Sequence, residues 1–332
     1  MKEIVKNKVD LLISNRVSIE KRFKFSNSIM NIAASLIFTG AEREADIEKL
    51  KECKKIVTKG AGAFSALRAT VEPILVCKMA LSENPEQYFA DVAEVYDKIK
   101  KSKIASDNGY FVQAAISIVD AGRIAETEAI IDEYKTIFKR MNKEHPILTG
   151  SEDIIFAVLL AMTDKAVDTI IEEMEDCYKY LKKEVKLKVG ANEIQGLAEV
   201  LTLTDGNMRE KTDKVLAIYN AFLDKGVKYG TSYNEFSSLG ALIDLDVDKD
   251  TLVDETIEVA EYLKENKGFG SWSINSKQRI MFAAMLVGDA YQKGTIESTT
   301  SVVNSSIVMA IAEQVAIMAC IVAATTASSV NS

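Results

Sequence analysis

Proline, histidine and tryptophan are scarce in this chain of 332 residues, which contains three, one and one of them respectively. Proline breaks helices because it has no backbone N–H to donate, so a chain this poor in proline tolerates helices along most of its length. Catalytic sites of the Ser-His-Asp or Cys-His type depend on histidine, and His145 stands alone here. Because Pro146 follows it and ends a helix, we expect His145 to cap that helix rather than to catalyse.

Basic residues are also in deficit, since 41 Lys and Arg stand against 49 Asp and Glu, for a net charge of -8. Nucleic-acid backbones are bound through basic surface, so we expect no nucleic-acid partner. The four cysteines form no CxxC pair and are too few for a disulfide framework in a chain of this length. Residues 1–8 lack the apolar core of a signal peptide. Together these features predict a cytoplasmic protein.

Similar connectors return along the chain at intervals of about 41 residues. Asp164, Asp205 and Asp246 mark three of them, 41 residues apart in both steps. A second set of marks keeps nearly the same interval and consists of Tyr180, Phe222 and Tyr262. HEAT and armadillo units span about 40–47 residues, so we predict a helical repeat protein. The expected fold is all-α, an irregular array of about fourteen helices in antiparallel pairs that curves into a right-handed α-α superhelix.

The clearest helix pair shows how each unit is built. Residues 154–162 are nine consecutive apolar residues, and a helix that is apolar on all sides must be buried on all sides. The following helix places Ile170, Met174 and Cys177 on one face and charged residues on the other. The pattern predicts an inner helix covered by an outer partner.

Three segments divide the chain, which we expect to form one continuous domain. Residues 1–58 are predicted to be N-terminal capping helices, residues 59–292 the helical array, and residues 293–332 a C-terminal closing helix with a frayed tail. Within the last segment, residues 307–324 are almost wholly apolar or small but include Glu313 and have no flanking Lys or Arg. These features favour a buried closing helix over membrane attachment, so we regard a membrane partner as the less favoured alternative.

Four acidic residues have the spacing of a calcium-binding loop. Asp244, Asp246 and Asp248 fall at positions one, three and five of an EF-hand pattern, and Glu255 falls at position twelve. Lys249 occupies position six, where the sharp turn of that loop needs glycine. We therefore favour a solvated connector with Asp248 or Asp250 as a helix cap, and we predict no cofactor.

Two arginines and two aromatic residues are candidate ligand contacts. Arg68 and Arg279 lie within otherwise apolar helical segments, where a guanidinium needs a structural partner. If both faced one groove, they would instead be available to a ligand. Phe269 and Trp272 lie beside two glycines, and they either form an exposed binding loop or fill the gap between helix pairs, which we favour.

Residues 145–153, which run into the apolar helix at 156–161, resemble a bacterial family known as the domain of unknown function 4003. Residues 272–284 and the alanine-rich C-terminal segment carry the same resemblance, which extends from about Lys8 to Ala324. It implies a bacterial, mainly Gram-positive, cytoplasmic protein. It implies no activity, cofactor or catalytic residue.

Without a nucleophile–base pair or a metal-ligand cluster, the sequence favours a non-enzymatic helical-repeat scaffold that binds a protein or peptide. Two alternatives stay open. One is a small-molecule-binding protein or enzyme with a pocket between helix pairs, which would be recognised by charges converging there with perturbed pKa values. The other is membrane association through the apolar C-terminal helix.

Overall fold

The computed structural model describes residues 1–22, 28–63, 65–103 and 109–291, without the side chain of Glu184. These ranges form fourteen α-helices and contain no strand, which confirms the predicted all-α class. Cys320 and the apolar segment 307–324 lie outside the described residues, so their predicted roles stay predictions.

The helices alternate between an inner and an outer layer. The inner helices are α2 (Ser28–Gly40), α4 (Glu72–Leu81), α6 (Gly109–Asp120), α8 (Ile154–Ala161), α10 (Ala191–Thr202), α12 (Tyr233–Ser238) and α14 (Ser276–Ala290). The outer helices are α1 (Glu3–Arg22), α3 (Ile47–Gly60), α5 (Pro85–Lys101), α7 (Thr127–Glu144), α9 (Val167–Lys179), α11 (Met208–Asp224) and α13 (Lys249–Lys264).

Burial follows this alternation, as the apolar pattern predicts. Nearly every residue of α8 is buried, because a helix this apolar is stable only where neighbours cover all its sides. In α9 only one stripe is buried, formed by Ile170, Ile171, Met174 and Cys177. The predicted division into inner and outer helices is therefore present in this pair.

The outer layer closes on itself. Each outer helix contacts the next one along the chain, and α13 contacts α1. Lys8 of α1 forms an ion pair with Asp289 of α14, and the Tyr262 hydroxyl of α13 donates to Asp10 Oδ1 at 2.9 Å. The predicted HEAT-like superhelix is not confirmed, because helices from the two ends of the described chain meet.

Because each inner helix runs antiparallel to its outer partners, the connectors collect at two opposite ends. We call the end where outer helices begin the start rim; its connectors are residues 41–46, 82–84, 121–126, 162–166, 203–207 and 243–248. We call the end where outer helices finish the end rim; its described connectors are residues 61–63, 65–71, 102–103, 145–153, 185–190, 225–232 and 265–275.

Basic side chains join neighbouring connectors of the start rim. Arg123 Nη1 donates to the carbonyl of Met162 at 2.6 Å, and Lys165 Nζ donates to the carbonyls of Thr202 and Thr204 at 2.9 and 2.8 Å. These acceptors lie at the C-terminal ends of α8 and α10, where carbonyls have no partner within the helix and the helix dipole favours a cation. Each bond therefore fastens the C-terminal end of one inner helix to the preceding connector of the start rim.

Replacing Lys165 by methionine should lower the free energy of unfolding by about 1–2 kcal/mol, since half-buried carbonyl groups lose a charged donor while the aliphatic stem is kept. Urea denaturation measures this change. Lys214→Met is the matched control, because Lys214 pairs with Asp244 on the exposed surface, where an ion pair contributes at most about 1 kcal/mol. Equal losses in the two variants would contradict the proposed role of Lys165.

Candidate functional site

Two carboxyl groups and a tyrosine meet inside the protein. Asp153 closes the 3-10 turn Ser151–Asp153 that leads into α8, Glu199 lies in the middle of α10, and Tyr233 is the first residue of α12. Asp153 and Glu199 have no solvent-exposed surface, and Tyr233 is buried. Three inner helices therefore place ionisable groups at one enclosed point.

The Tyr233 hydroxyl bridges the two acids. Its oxygen lies 2.8 Å from Asp153 Oδ1 and 2.7 Å from Glu199 Oε2, and the two carboxyl groups are also hydrogen-bonded to each other. The backbone N–H of Gly150 donates to Asp153 Oδ2 at 2.6 Å, and Gln195 Nε2 donates to Glu199 Oε1 at 3.3 Å. A tyrosine has one proton to donate, so contact between two carboxyl groups requires a second proton.

Burial explains why a second proton is retained, because it raises the pKa values of both acids. It raises the pKa of Asp153 to about 6, although the N–H of Gly150 opposes the rise. Burial also raises the pKa of Glu199 well above its usual value, and the charge of Asp153 adds to this effect. We assign the proton to Glu199, which then donates to Asp153, because two unpaired charges could not remain in so enclosed a place.

The three side chains are enclosed by the inner helices that carry them. The Tyr233 ring packs on Gly196 of α10, where an added Cβ would lie 2.6 Å from the ring atom Cε2. The ring can approach this closely only because Gly196 has no side chain. The cluster therefore sets the contacts among α8, α10 and α12.

Glu199 and Tyr233 were not identified from the sequence as partners of Asp153. Asp153 caps the 3-10 turn Ser151–Asp153 by accepting from the N–H of Gly150. A regular signal was present: Gly150, Gly190 and Gly230 are spaced by 40 residues. Each precedes an acid that lies against it, and those acids are Glu152, Glu193 and Glu235. The signal marks the entry to inner helices, but it does not show which side chains meet across them.

The candidate ligand contacts are dispersed. Arg279 is buried and donates from Nη1 to the carbonyl of Phe269 at 3.0 Å, and Phe269 is also buried. Trp272, three residues further on, is fully exposed. Arg68 is half-buried in a different connector, with Nη1 3.5 Å from the carbonyl of Ala61. Of these four residues, Phe269 fills a gap as expected, whereas Trp272 lies on the surface.

The four acids that have the spacing of a calcium-binding loop make separate contacts. Asp244 pairs with Lys214 at 2.7 Å, and Asp248 caps α13 by accepting from the N–H of Thr251 at 2.9 Å. Glu255 accepts from the N–H of Lys2 at 2.6 Å, while the N–H of Asp246 donates to the carbonyl of Tyr291. In the part of the chain that the structure describes, no three His, Cys, Asp or Glu side chains are grouped as metal ligands. The helix-capping role expected for Asp248 is observed.

His145 is the C-cap residue of α7, as expected. Its Nε2 lies 2.6 Å from Glu175 Oε1, and its ring packs on Tyr178 with a centroid distance of 4.4 Å. An open cavity of about 350 Å³ adjoins this pair. Its lining residues are Glu144, Ile171, Glu172, Glu175, Asp176 and Lys179.

A larger open groove of about 640 Å³ lies between the outer helices α3 and α5. Its lining residues are Glu52, Lys55, Ile56, Lys59, Gly60, Glu86 and Phe89. Ile56 and Phe89 contribute the apolar part, and charged side chains of both signs surround them. A Cβ on Gly60 would lie 2.3 Å from Phe89 Cε1, so this glycine allows the ring to close the groove beside α3.

None of the helices within the described ranges is long and apolar enough to cross a membrane.

Comparison with known proteins gives a family but no activity. The profile of the family described as "Protein of unknown function (DUF4003)" matches residues 15–323. The chain is 23% identical over 164 residues to the "Uncharacterized protein YeaA" of Bacillus subtilis (strain 168). That alignment covers 48% of this chain and 49% of the relative, so the chain spans about half the length of the curated protein it matches. No solved structure matches it.

Proposed function

We propose that this chain, which belongs to the DUF4003 family of proteins of unknown function, is a non-enzymatic helical scaffold that binds a protein or peptide. The observation that carries the proposal is the groove between α3 and α5. Its volume of about 640 Å³ is in the range of ligand-binding clefts, and it is open to solvent, as an extended partner requires.

The chemistry of the groove suits a short amphipathic segment. Ile56 and Phe89 offer an apolar surface for one or two side chains of the partner. Lys55 and Lys59 are exposed on one side of the groove, and Glu86 is exposed across it on α5. Charges of both signs would orient a bound segment and select against a partner in the reverse direction.

A photo-crosslinking amino acid at position 59 tests the proposal in the cells from which the chain comes. We expect it to capture one protein partner, identified by mass spectrometry, and we expect Ile56→Asp to reduce that product at least tenfold by placing a charge on the apolar floor. Position 214 on α11 is the control, because Lys214 is exposed and distant from the groove in sequence. Circular dichroism and urea denaturation verify that Ile56→Asp folds.

Adducts at position 59 that equal those at position 214 would contradict the proposal. A compound that co-purifies with the protein and is lost in Ile56→Asp, without a protein adduct, would establish the second candidate function, a small-molecule-binding protein. The groove volume alone suits either occupant. The groove is open and carries charged residues on both of its sides, which favours a peptide.

A further inference from the structure

The end rim is rich in lysine although the chain as a whole is acidic. Outer helices finish in lysines because cations are favoured at helix C-termini, and their connectors add more. The exposed lysines here include Lys59, Lys101, Lys103, Lys143, Lys182, Lys183, Lys186, Lys188, Lys225, Lys228, Lys264 and Lys267. They outnumber the exposed acids at the same end, which include Glu144, Asp224 and Glu265. The start rim carries acids instead, among them Glu42, Asp164, Asp205, Asp244 and Asp248. The molecule therefore has two ends of opposite charge.

Exposed apolar side chains collect on the same end. Trp272 and Ile147 are fully exposed, at 104% and 96%, and both lie in end-rim connectors. Val185 and Leu223 are partly exposed at the ends of two other outer helices. Ile4 at the beginning of α1 is the remaining large apolar side chain found exposed in the described ranges. The four exposed apolar side chains at this end, which we call the apolar tips, thus occur on successive helix pairs.

Two of the end-rim lysines occupy a backbone conformation that disfavours them. Lys103 and Lys186 have φ of 56° and 55°, each directly after the C-cap of its helical segment. Gly226 fills the same position after α11, with φ of 74°. A side chain in this left-handed region costs stability that glycine does not lose. At these two positions the chain carries an exposed positive charge where the backbone alone would favour glycine.

We propose that the end rim binds the surface of an anionic lipid bilayer, with its lysines against the lipid phosphates and Trp272 and Ile147 in the interfacial layer. Lysine clusters are attracted to anionic leaflets, and tryptophan partitions to the membrane–water interface. The apolar tips are separate and lie on different connectors, so they suit a continuous fluid surface rather than one pocket of a protein. The acidic start rim then faces away from the membrane.

Lys59 belongs both to the end rim and to the groove between α3 and α5, whereas the other end-rim residues named here lie outside that groove. The proposed membrane contact differs from a transmembrane anchor, because it is made by side chains on connectors of the folded array. A scaffold held in this orientation would leave its outer grooves open to the cytoplasmic or aqueous phase beside the membrane.

Trp272 provides the measurement, since it is the one tryptophan in the chain. We expect its fluorescence to shift to shorter wavelength with vesicles of phosphatidylcholine and phosphatidylglycerol, and to be quenched when the acyl chains carry bromine. Phosphatidylcholine alone should give neither change, and moderate salt should reverse both. No shift with anionic vesicles at low salt overturns the proposal. So does sedimentation with vesicles while Trp272 remains unquenched, because the contact would then lie elsewhere on the chain.

Matched glycine variants separate binding from folding. Lys103→Gly and Lys186→Gly should each weaken vesicle affinity about fivefold, the effect of one lysine near an anionic surface, while raising the melting temperature. Glu42→Gly relieves the same strain on the start rim, where Glu42 has φ of 53°, so it should raise the melting temperature and leave affinity unchanged. Ile147→Ala should weaken binding and Ile4→Ala should not. The proposal is overturned if the two lysine variants bind vesicles as tightly as Glu42→Gly does, or if Ile147→Ala binds them as tightly as Ile4→Ala does.

Discussion

Glu199→Gln is expected to stabilise the protein near pH 8 and to remove much of the decline in stability between about pH 5 and pH 8. Folded-state pKa values of Asp153 and Glu199 are raised by burial, so the folded protein holds a proton that the unfolded chain releases. Stability is therefore lost as the pH rises above the unfolded pKa values near 4, by about 1.4 kcal/mol per pH unit for each group that keeps its proton. The glutamine amide donates to Asp153 without needing that proton.

Urea denaturation at several pH values measures the effect. Glu193→Gln is the control, because Glu193 lies two turns earlier on α10 and is only half-buried; its stability curve should run parallel to that of the original chain. Tyr233→Phe should instead destabilise at every pH, since it leaves both acids without the shared hydroxyl. If Glu199→Gln and the original chain lose stability in parallel as the pH rises, the shared proton is not present.

Gly196→Ala is expected to destabilise the protein by about 2 kcal/mol, although alanine favours helices over glycine by about 1 kcal/mol. The new Cβ would lie 2.6 Å from Tyr233 Cε2 and 2.7 Å from Ser237 Oγ, distances that force α10 and α12 apart. Both helices are buried, so neither can shift toward solvent to relieve these close contacts. Thermal and urea unfolding measure the loss.

The control for this substitution is Gly62→Ala. No atom lies within 4 Å of the Cβ position at Gly62, and we expect a change of at most about 0.5 kcal/mol there. A stabilised Gly196→Ala variant would show that helix propensity outweighs the close approach of the Tyr233 ring. It would also show that the absence of a side chain at Gly196 does not fix the position of Tyr233 between the two acids.

Individual residues show how far the sequence could predict the site. Asp248 and His145 were expected to cap helices, and they do, because capping depends on neighbours within a few residues. Trp272 and Phe269 stand in one glycine-rich connector, yet one is fully exposed and the other buried. Local sequence could not separate them, because exposure depends on what the adjacent helices place over each ring.

The cluster of Asp153, Glu199 and Tyr233 could not be predicted from local sequence either, because its contacts also depend on how distant helices pack. Residues 80 positions apart form a hydrogen bond in it, and no local pattern specifies that distance. The end rim is an intermediate case. Its lysines were visible in the sequence, but their common location follows only from the antiparallel packing of the helices.

By itself the amino-acid sequence determined the helical class and, for α8 and α9, which helix is inner, since the apolar period and the capping residues act over a few turns. Tertiary structure alone decided that α13 contacts α1, that two carboxyl groups share one enclosed point, and that lysines and apolar tips share one end. These features depend on contacts between distant segments. Their free energy comes from burial and pairing across helices, which the chain acquires only when the layers assemble.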